Sequence, residues 1–109
     1  TVLLRGPQPV IVCPARSLTR MRLKAEYKAP LAEGRLLLLS PFPDTVRRAT
    51  KATAYQRNRF VAALAGQVLI AHAHPGSKTA QLAREVVGWG RQVVTLAHPA
   101  NAHLGVGDA

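Results

Sequence analysis

Four short segments of the chain consist mainly of consecutive apolar residues, and they recur at intervals of roughly 25 to 32 residues. These segments are 9–13, 35–39, 67–71 and 92–96. A continuous apolar run, as opposed to an alternating one, is typical of a strand that is covered on both faces of a parallel sheet. Each interval is long enough for a crossover helix. The spacing therefore predicts four parallel strands that are joined by helices.

Each of the three intervals between these segments contains a stretch with the signals of a helix, and these stretches are 24–33, 54–65 and 77–88. Gly34 is placed to end the first helix, although Pro30 lies within it. Thr53 is a candidate cap and Gly66 a candidate end for the second helix, and Ser77 is a candidate cap for the third. The resulting β-α-β-α-β-α-β order predicts an α/β fold with a doubly wound or Rossmann-like parallel sheet and flanking helices.

A length of 109 residues is that of one domain or of part of one, so we expect residues 1–109 to form a single Rossmann-like domain or a piece of one. The lone Cys13 has no second cysteine with which to form an internal disulfide, which gives no reason to expect secretion. No apolar segment approaches the ~18 residues of a membrane span, and the first residues do not resemble a signal peptide. We expect a cytoplasmic protein with no membrane partner.

The charge is high and uneven, with 15 Lys and Arg against 5 Asp and Glu and a net charge of +10. Residues 1–59 hold twelve basic and three acidic residues, whereas residues 60–109 hold three basic and two acidic ones. Such a balance favours a polyanionic partner, nucleic acid first and an anionic membrane surface or an acidic protein second. A solvated basic face without any partner is the purely structural explanation.

The densest basic cluster lies around the start of the second predicted helix and comprises Arg47, Arg48, Lys51, Arg57, Asn58 and Arg59. Arg57 and Arg59 would lie about 200° apart around a helix, so one would contact a phosphate while the other braces a loop or strand edge. Phosphate contacts give affinity without reading sequence. Tyr55 is a candidate for base stacking. Phe60 and Trp89 are expected in the core.

The turn between the third strand and the third helix has a composition suited to anions, through Gly76, Ser77, Lys78 and Thr79. Backbone N–H groups at a helix start, together with the helix dipole, attract phosphate. The spacing is not that of a Walker A loop, and the chain has no dinucleotide fingerprint. An ordinary capped turn is the structural alternative.

Three histidines, His72, His74 and His98, follow the third and fourth strands and would meet at the carboxyl edge of the sheet. Zinc would need a further ligand, which neither Cys13 nor a nearby carboxylate supplies. Ordinary loop histidines are therefore the expectation, and we predict no metal and no cofactor. Five scattered acids provide no paired carboxylates, so no catalytic residue is predicted.

The order of several motifs resembles the Rossmann-like domain of the DprA/Smf family of DNA-processing proteins, over roughly residues 8–109. The matching segments are GRLLLLSPFP at 34–43, RNRFVAALA at 57–65, QVLIA at 67–71, GSKTA at 76–80 and GRQV at 90–93. The resemblance implies single-stranded DNA binding by a homodimer, with a RecA-type recombinase as a further partner in natural transformation and DNA recombination. It implies no enzymatic activity.

Site residues follow from the resemblance position by position. It places Arg57, Asn58 and Arg59 on the R-N-R signature, Lys51 on a DNA-contacting lysine, and Gly76, Ser77 and Thr79 on the loop at a helix start. The first phosphate loop of the family would precede residue 1. The resemblance therefore implies the C-terminal half of the family domain in a divergent member.

Two other functions remain open at the level of sequence. A nucleotide-binding or phosphoribohydrolase-like protein of the lysine-decarboxylase-like group would have the same kind of sheet and a glycine-containing turn similar to 75–79. A protein-interaction module would keep the fold without either ligand. Thermal-shift screening with mononucleotides separates the first of these from DNA binding.

Overall fold

The computed structural model describes residues 2–108, which form a mixed α/β fold with two small parallel sheets flanked by helices. This confirms the predicted fold class and is consistent with a partial Rossmann-like fold. The chain divides into two compact units, one up to Arg57 and one from Asn58 onward.

The first unit contains α1 (Val2–Arg5), β1 (Val10–Val12), α2 (Ala25–Ala32) and β2 (Leu36–Leu38). The two strands are parallel, with Ile11 paired to Leu37, so α2 is the crossover between them. Gly34 ends α2 as predicted, because its φ of +74° is a left-handed conformation that glycine adopts without strain. Arg35 then fastens the start of the unit by donating hydrogen bonds to the carbonyls of Gly6 and Leu4, at 2.7 and 3.2 Å.

Helix α3 (Lys51–Leu64) begins three residues before the predicted start, and its cap is Thr50. The Thr53 amide donates to Thr50 Oγ1 at 3.1 Å, and the Thr50 amide donates to Thr53 Oγ1 at 2.8 Å. This reciprocal pair is the geometry of a capping box, with threonine in the place of the usual Glu or Gln. The prediction of Thr53 as the cap was wrong, because Thr53 is the inner member of that pair.

The second unit contains β3 (Gln67–Ile70), α4 (Lys78–Gly88), β4 (Gln92–Thr95), a 3₁₀ helix (Pro99–Leu104) and β5 (Gly107–Asp108). Its strands lie in the order β3-β4-β5 and are all parallel. The four predicted strands are thus present, whereas β5 was not predicted. Ser77 caps α4 as expected, since its Oγ accepts a hydrogen bond from the Ala80 amide at 3.1 Å.

The buried centre of the second unit is built from one side of α4 and from the strands. Ala80 and Val86 are fully buried, and Leu82 and Val93 are nearly so. Trp89, which the helical stripe also placed in the core, is 41% exposed, so that prediction was wrong. Trp89 is the residue that follows the last turn of α4, where the chain leaves the buried stripe for the loop that leads to β4.

One face of each sheet carries exposed apolar side chains. Ile11, Leu37 and Leu69 are 63%, 54% and 57% exposed, whereas Leu36, the neighbour of Leu37, is buried. Successive side chains of a strand point to opposite faces, so β1, β2 and β3 each leave an apolar side chain of one face uncovered. The expectation that the strands are covered on both faces was therefore wrong for these three strands, whereas no apolar residue of β4 is exposed.

The helices are short. The longest, α3, has 14 residues, against about 20 for a helix that spans a bilayer. Within residues 2–108, no helix combines the length and the apolar character that crossing a membrane requires.

Candidate nucleic-acid interface

Three predicted contact residues, Arg47, Arg48 and Lys51, are exposed. Lys51 is the first residue of α3, and the two arginines lie on the loop that precedes it. Hydrogen bonds with Thr19 and Ser17 help to hold the loop that presents the two arginines. Thr19 Oγ1 donates to Asp44 Oδ1 at 2.7 Å, and the Ser17 amide donates to the carbonyl of Val46 at 2.7 Å. The structure therefore displays these three cations on an anchored loop and the helix start that follows it.

The electrostatics of this position favour an anion. The first turn of α3 has no acidic residue, although acidic side chains are the ones that stabilise a helix N-terminus. Asp44 is the only acid between residues 34 and 84, and its carboxylate accepts the bond from Thr19. Lys51, the first residue of α3, lies at the positive end of the helix dipole, where a bound phosphate is favoured.

Arg57 acts as a brace. Its Nη1 donates to the carbonyl of Cys13, at 2.8 Å, just past the end of β1. Burial raises the pKa of the Cys13 thiol, and the Coulombic effect of Arg57 opposes that rise. The prediction that one arginine of the R-N-R segment braces a loop or a strand edge is thus confirmed for Arg57. Contact of the other arginine with phosphate stays a prediction.

The other two residues of that segment belong to the second unit. Asn58 is half-buried. Arg59 Nε lies 3.0 Å from Glu85 Oε2, and its guanidinium lies 5.7 Å from the centre of the Trp89 ring. Arg57 and Arg59 thus each contact other residues of the protein, so the three residues of the R-N-R segment do not form a continuous exposed surface for DNA.

The turn at 76–79 has the geometry of a capped strand-to-helix connection. Gly76 has a φ of +76°, and the Ser77 amide donates to the carbonyl of His74 at 3.1 Å. The Ser77 hydroxyl caps α4, so both polar groups of this residue are used within the turn. Lys78 begins α4 with an exposed side chain, and Thr79 is half-buried. Phosphate binding here stays a prediction.

The histidines lie on two loops of the second unit. The rings of His72 and His74 meet edge to face, with their centres 4.7 Å apart. His98 Nδ1 accepts a hydrogen bond from the Ala100 amide at 3.0 Å and so caps the 3₁₀ helix. Among residues 2–108, no three His, Cys, Asp or Glu side chains come together as metal ligands.

Asn101 is a structural residue that sequence reasoning missed. Its Nδ2 donates to the carbonyls of Ala71 and Leu96, at 2.9 and 3.0 Å, just past the ends of β3 and β4. The side chain, which is 5% exposed, ties together two loops at the carboxyl edge of the sheet. A cavity of about 300 Å³ at this edge is lined by Thr95, His98 and Asp108 among others. In the sequence, the only signal of this role was the position of the asparagine in a short segment after a predicted strand.

Arg91 is the second residue that was missed. Its Nη1 donates to the carbonyl of Ala65 at 2.7 Å, which ties the start of β4 to the end of α3. Arg91 also lines a shallow cavity together with Trp89. The motif GRQV marked this arginine in the sequence, but not its role.

No protein-family model matches the chain, and searches of curated proteins and of solved structures found no significant match. Membership of the DprA/Smf family stays a prediction that depends on the motif order.

Proposed function

We propose that this protein binds single-stranded DNA through the phosphate backbone, in the manner of the DprA/Smf proteins that its motifs resemble. The observation that carries the proposal is the set of three exposed cations, Arg47, Arg48 and Lys51, on the loop before α3 and at its first residue, with no acid in the first turn of the helix. Phosphate contacts of this kind supply affinity that does not depend on base sequence.

The charge around this cluster supports a polyanion over a single small anion. The chain up to Arg57 holds eleven basic and three acidic residues. Glu33 pairs with Arg35 at 2.7 Å and Asp44 accepts a hydrogen bond from Thr19, so these two carboxylates are engaged within the protein. A broad positive field raises the local concentration of a polyanion and its rate of association.

The phosphoribohydrolase-like alternative has less support from the described residues. Its chemistry calls for a carboxylate base on the helix that follows the glycine-containing turn. Glu85, the only acid on α4, is paired with Arg59 and lies two turns into that helix.

By resemblance, the DNA-binding proposal includes a homodimer, a cytoplasmic location and a RecA-type recombinase as a further partner.

The test is a titration of fluorescently labelled single-stranded oligonucleotide at low salt, read by anisotropy. We expect micromolar or tighter binding, and weaker binding by the triple variant R47A/R48A/K51A. The matched control is R22A/K28A/R84A, which removes the same number of charges from exposed positions. Equal binding by both triple variants would show that net charge alone acts. A shift of melting temperature by a mononucleotide, without oligonucleotide binding, would favour the alternative.

A further inference from the structure

Trp89 is an exposed aromatic side chain in a protein that has few of them. The chain has one Trp, two Tyr and two Phe, and the Trp89 ring is 41% exposed to solvent. The residue is the C-cap of α4, and its amide donates to the carbonyls of Glu85 and Val86, at 3.0 and 3.1 Å. A well-fixed backbone thus carries a large, rigid, partly uncovered ring.

Arg59 is held over this ring. Its guanidinium carbon lies 5.7 Å from the centre of the indole, within the range of a cation–π contact. Its Nε pairs with Glu85 Oε2 at 3.0 Å, and the side chain stays half exposed. The ion pair orients the guanidinium, and a guanidinium carries five N–H donors, so the group still offers donors to a ligand.

A cavity of about 490 Å³ opens beside the ring, lined by Ala63, Trp89, Gly90 and Arg91. The cavity is shallow and open to solvent, so it suits a flat group that lies against the ring. Arg91 is fixed at the rim by its bond to the carbonyl of Ala65, which uses one of its donors. The cavity therefore combines an aromatic wall, two small residues that leave space, and a positioned arginine.

We infer that Trp89, Arg59 and Arg91 form a subsite for one nucleotide of a single strand, with the base stacked on the indole and a phosphate held by the arginines. The inference rests on the proposed function and extends it from phosphate contacts to base contacts. Every nucleobase has a flat π face, so stacking is tolerant of sequence. The subsite selects single strands, since the bases of a duplex are already stacked on each other.

The two arginines and one glutamate at the subsite leave a net positive charge, which matches a phosphate that flanks the stacked base. Stacking on an aromatic side chain changes affinity by about five- to 150-fold per base. Loss of the Trp89 ring should therefore weaken binding within that range.

Because Trp89 is the only tryptophan, its fluorescence reports on this subsite alone. The experiment compares an oligothymidylate with an abasic oligonucleotide of the same length, which has the same phosphates and no bases. Binding is followed by anisotropy of a labelled strand, and contact by quenching of Trp89 and by its protection from acrylamide. We expect oligothymidylate to bind tighter, to quench Trp89 and to protect it, whereas the abasic strand binds with little quenching.

The variants W89L and W89F complete the test. W89L should lose about five- to 150-fold in affinity for oligothymidylate and nothing for the abasic strand. W89F keeps a ring, so it should keep part of the affinity even if W89L folds poorly. R84A, an exposed residue of the same helix, is the control and should bind as the wild type does.

The outcomes separate the two proposals. Binding of both oligonucleotides with equal affinity and an unchanged Trp89 signal would overturn the stacking subsite and leave phosphate binding intact. Absence of anisotropy change with either strand at low salt would overturn the proposed function itself, and the subsite with it.

Discussion

Arg57 Nη1 donates a hydrogen bond to the backbone carbonyl of Cys13, 2.8 Å away and 44 positions earlier in the chain. The bond ties α3 to the end of β1, a strand of only three residues. A charged donor to a carbonyl in a partly buried position is stronger than a neutral one. Arg57, which belongs to the predicted DNA-contact segment, therefore has a structural role.

Replacement of Arg57 by Ala should lower the free energy of unfolding by about 1.5 to 3 kcal/mol, the usual contribution of a hydrogen bond that involves a charged group. R84A, which removes an exposed arginine, should change it by no more than about 0.5 kcal/mol. Urea denaturation followed by circular dichroism measures both. Equal midpoints for the two variants would show that the bond to Cys13 adds nothing to stability.

The thiol of Cys13 should react slowly with iodoacetamide at neutral pH, because burial raises its pKa and keeps it protonated. Since the folded pKa is above the unfolded one, the associated stability is fully present below the unfolded pKa and is lost as pH rises through the folded pKa. R57Q removes the charge that opposes the rise, so its alkylation midpoint should lie at higher pH than that of R57K. A midpoint at or below that of the unfolded chain would contradict this account.

Two variants of Ser77 distinguish its role as a helix cap from a role in phosphate binding. S77A should destabilise the protein by about 1 kcal/mol, because α4 loses its cap, whereas S77D should keep the stability, since Asp caps equally well. If the turn contacts phosphate, S77D should nevertheless bind oligonucleotide less tightly, because it adds a negative charge there. Thermal melts and anisotropy titrations measure the two effects. Unchanged oligonucleotide binding by S77D would restrict the turn to a structural role.

Asn101 should be intolerant of Asp. N101A removes two hydrogen bonds to strand-end carbonyls and should cost about 1 to 3 kcal/mol. N101D should cost more at neutral pH, because a carboxylate cannot donate and would face two carbonyl oxygens. Denaturation at pH 7 measures the free energy of unfolding of the wild type and of both variants. A stability of N101D equal to that of the wild type would show that the two carbonyls do not need the donor.

Much of the fold follows from local patterns. The runs at 9–13, 35–39, 67–71 and 92–96 each contain a strand, and the glycine and serine signals at Gly34 and Ser77 mark a helix end and a helix start. These features depend on neighbours in sequence. The strand β5 has two residues, Gly107 and Asp108, and pairs only with β4, so no local period announced it.

The site was harder to predict, because a sequence pattern does not distinguish an arginine that contacts a ligand from one that hydrogen-bonds within the fold. Arg47, Arg48 and Lys51 are exposed, as a contact needs. Arg57 donates to a distant carbonyl, and Arg59 pairs with Glu85 across two helices, which no sequence spacing reveals. Trp89 matched the buried stripe of α4 in period and lies one residue beyond the helix, where burial ends.

The dependence of single-stranded DNA affinity on salt tests the central claim most directly. Each phosphate that a protein neutralises adds about 0.7 to the slope of log affinity against log salt concentration. We predict that R47A/R48A/K51A lowers the steepness of this slope by about 2 relative to the wild type, since three phosphate contacts are lost. The charge-matched control R22A/K28A/R84A should keep most of the wild-type slope. Equal slopes for the wild type and R47A/R48A/K51A, or no binding at low salt, would contradict the claim that the start of α3 holds a DNA backbone.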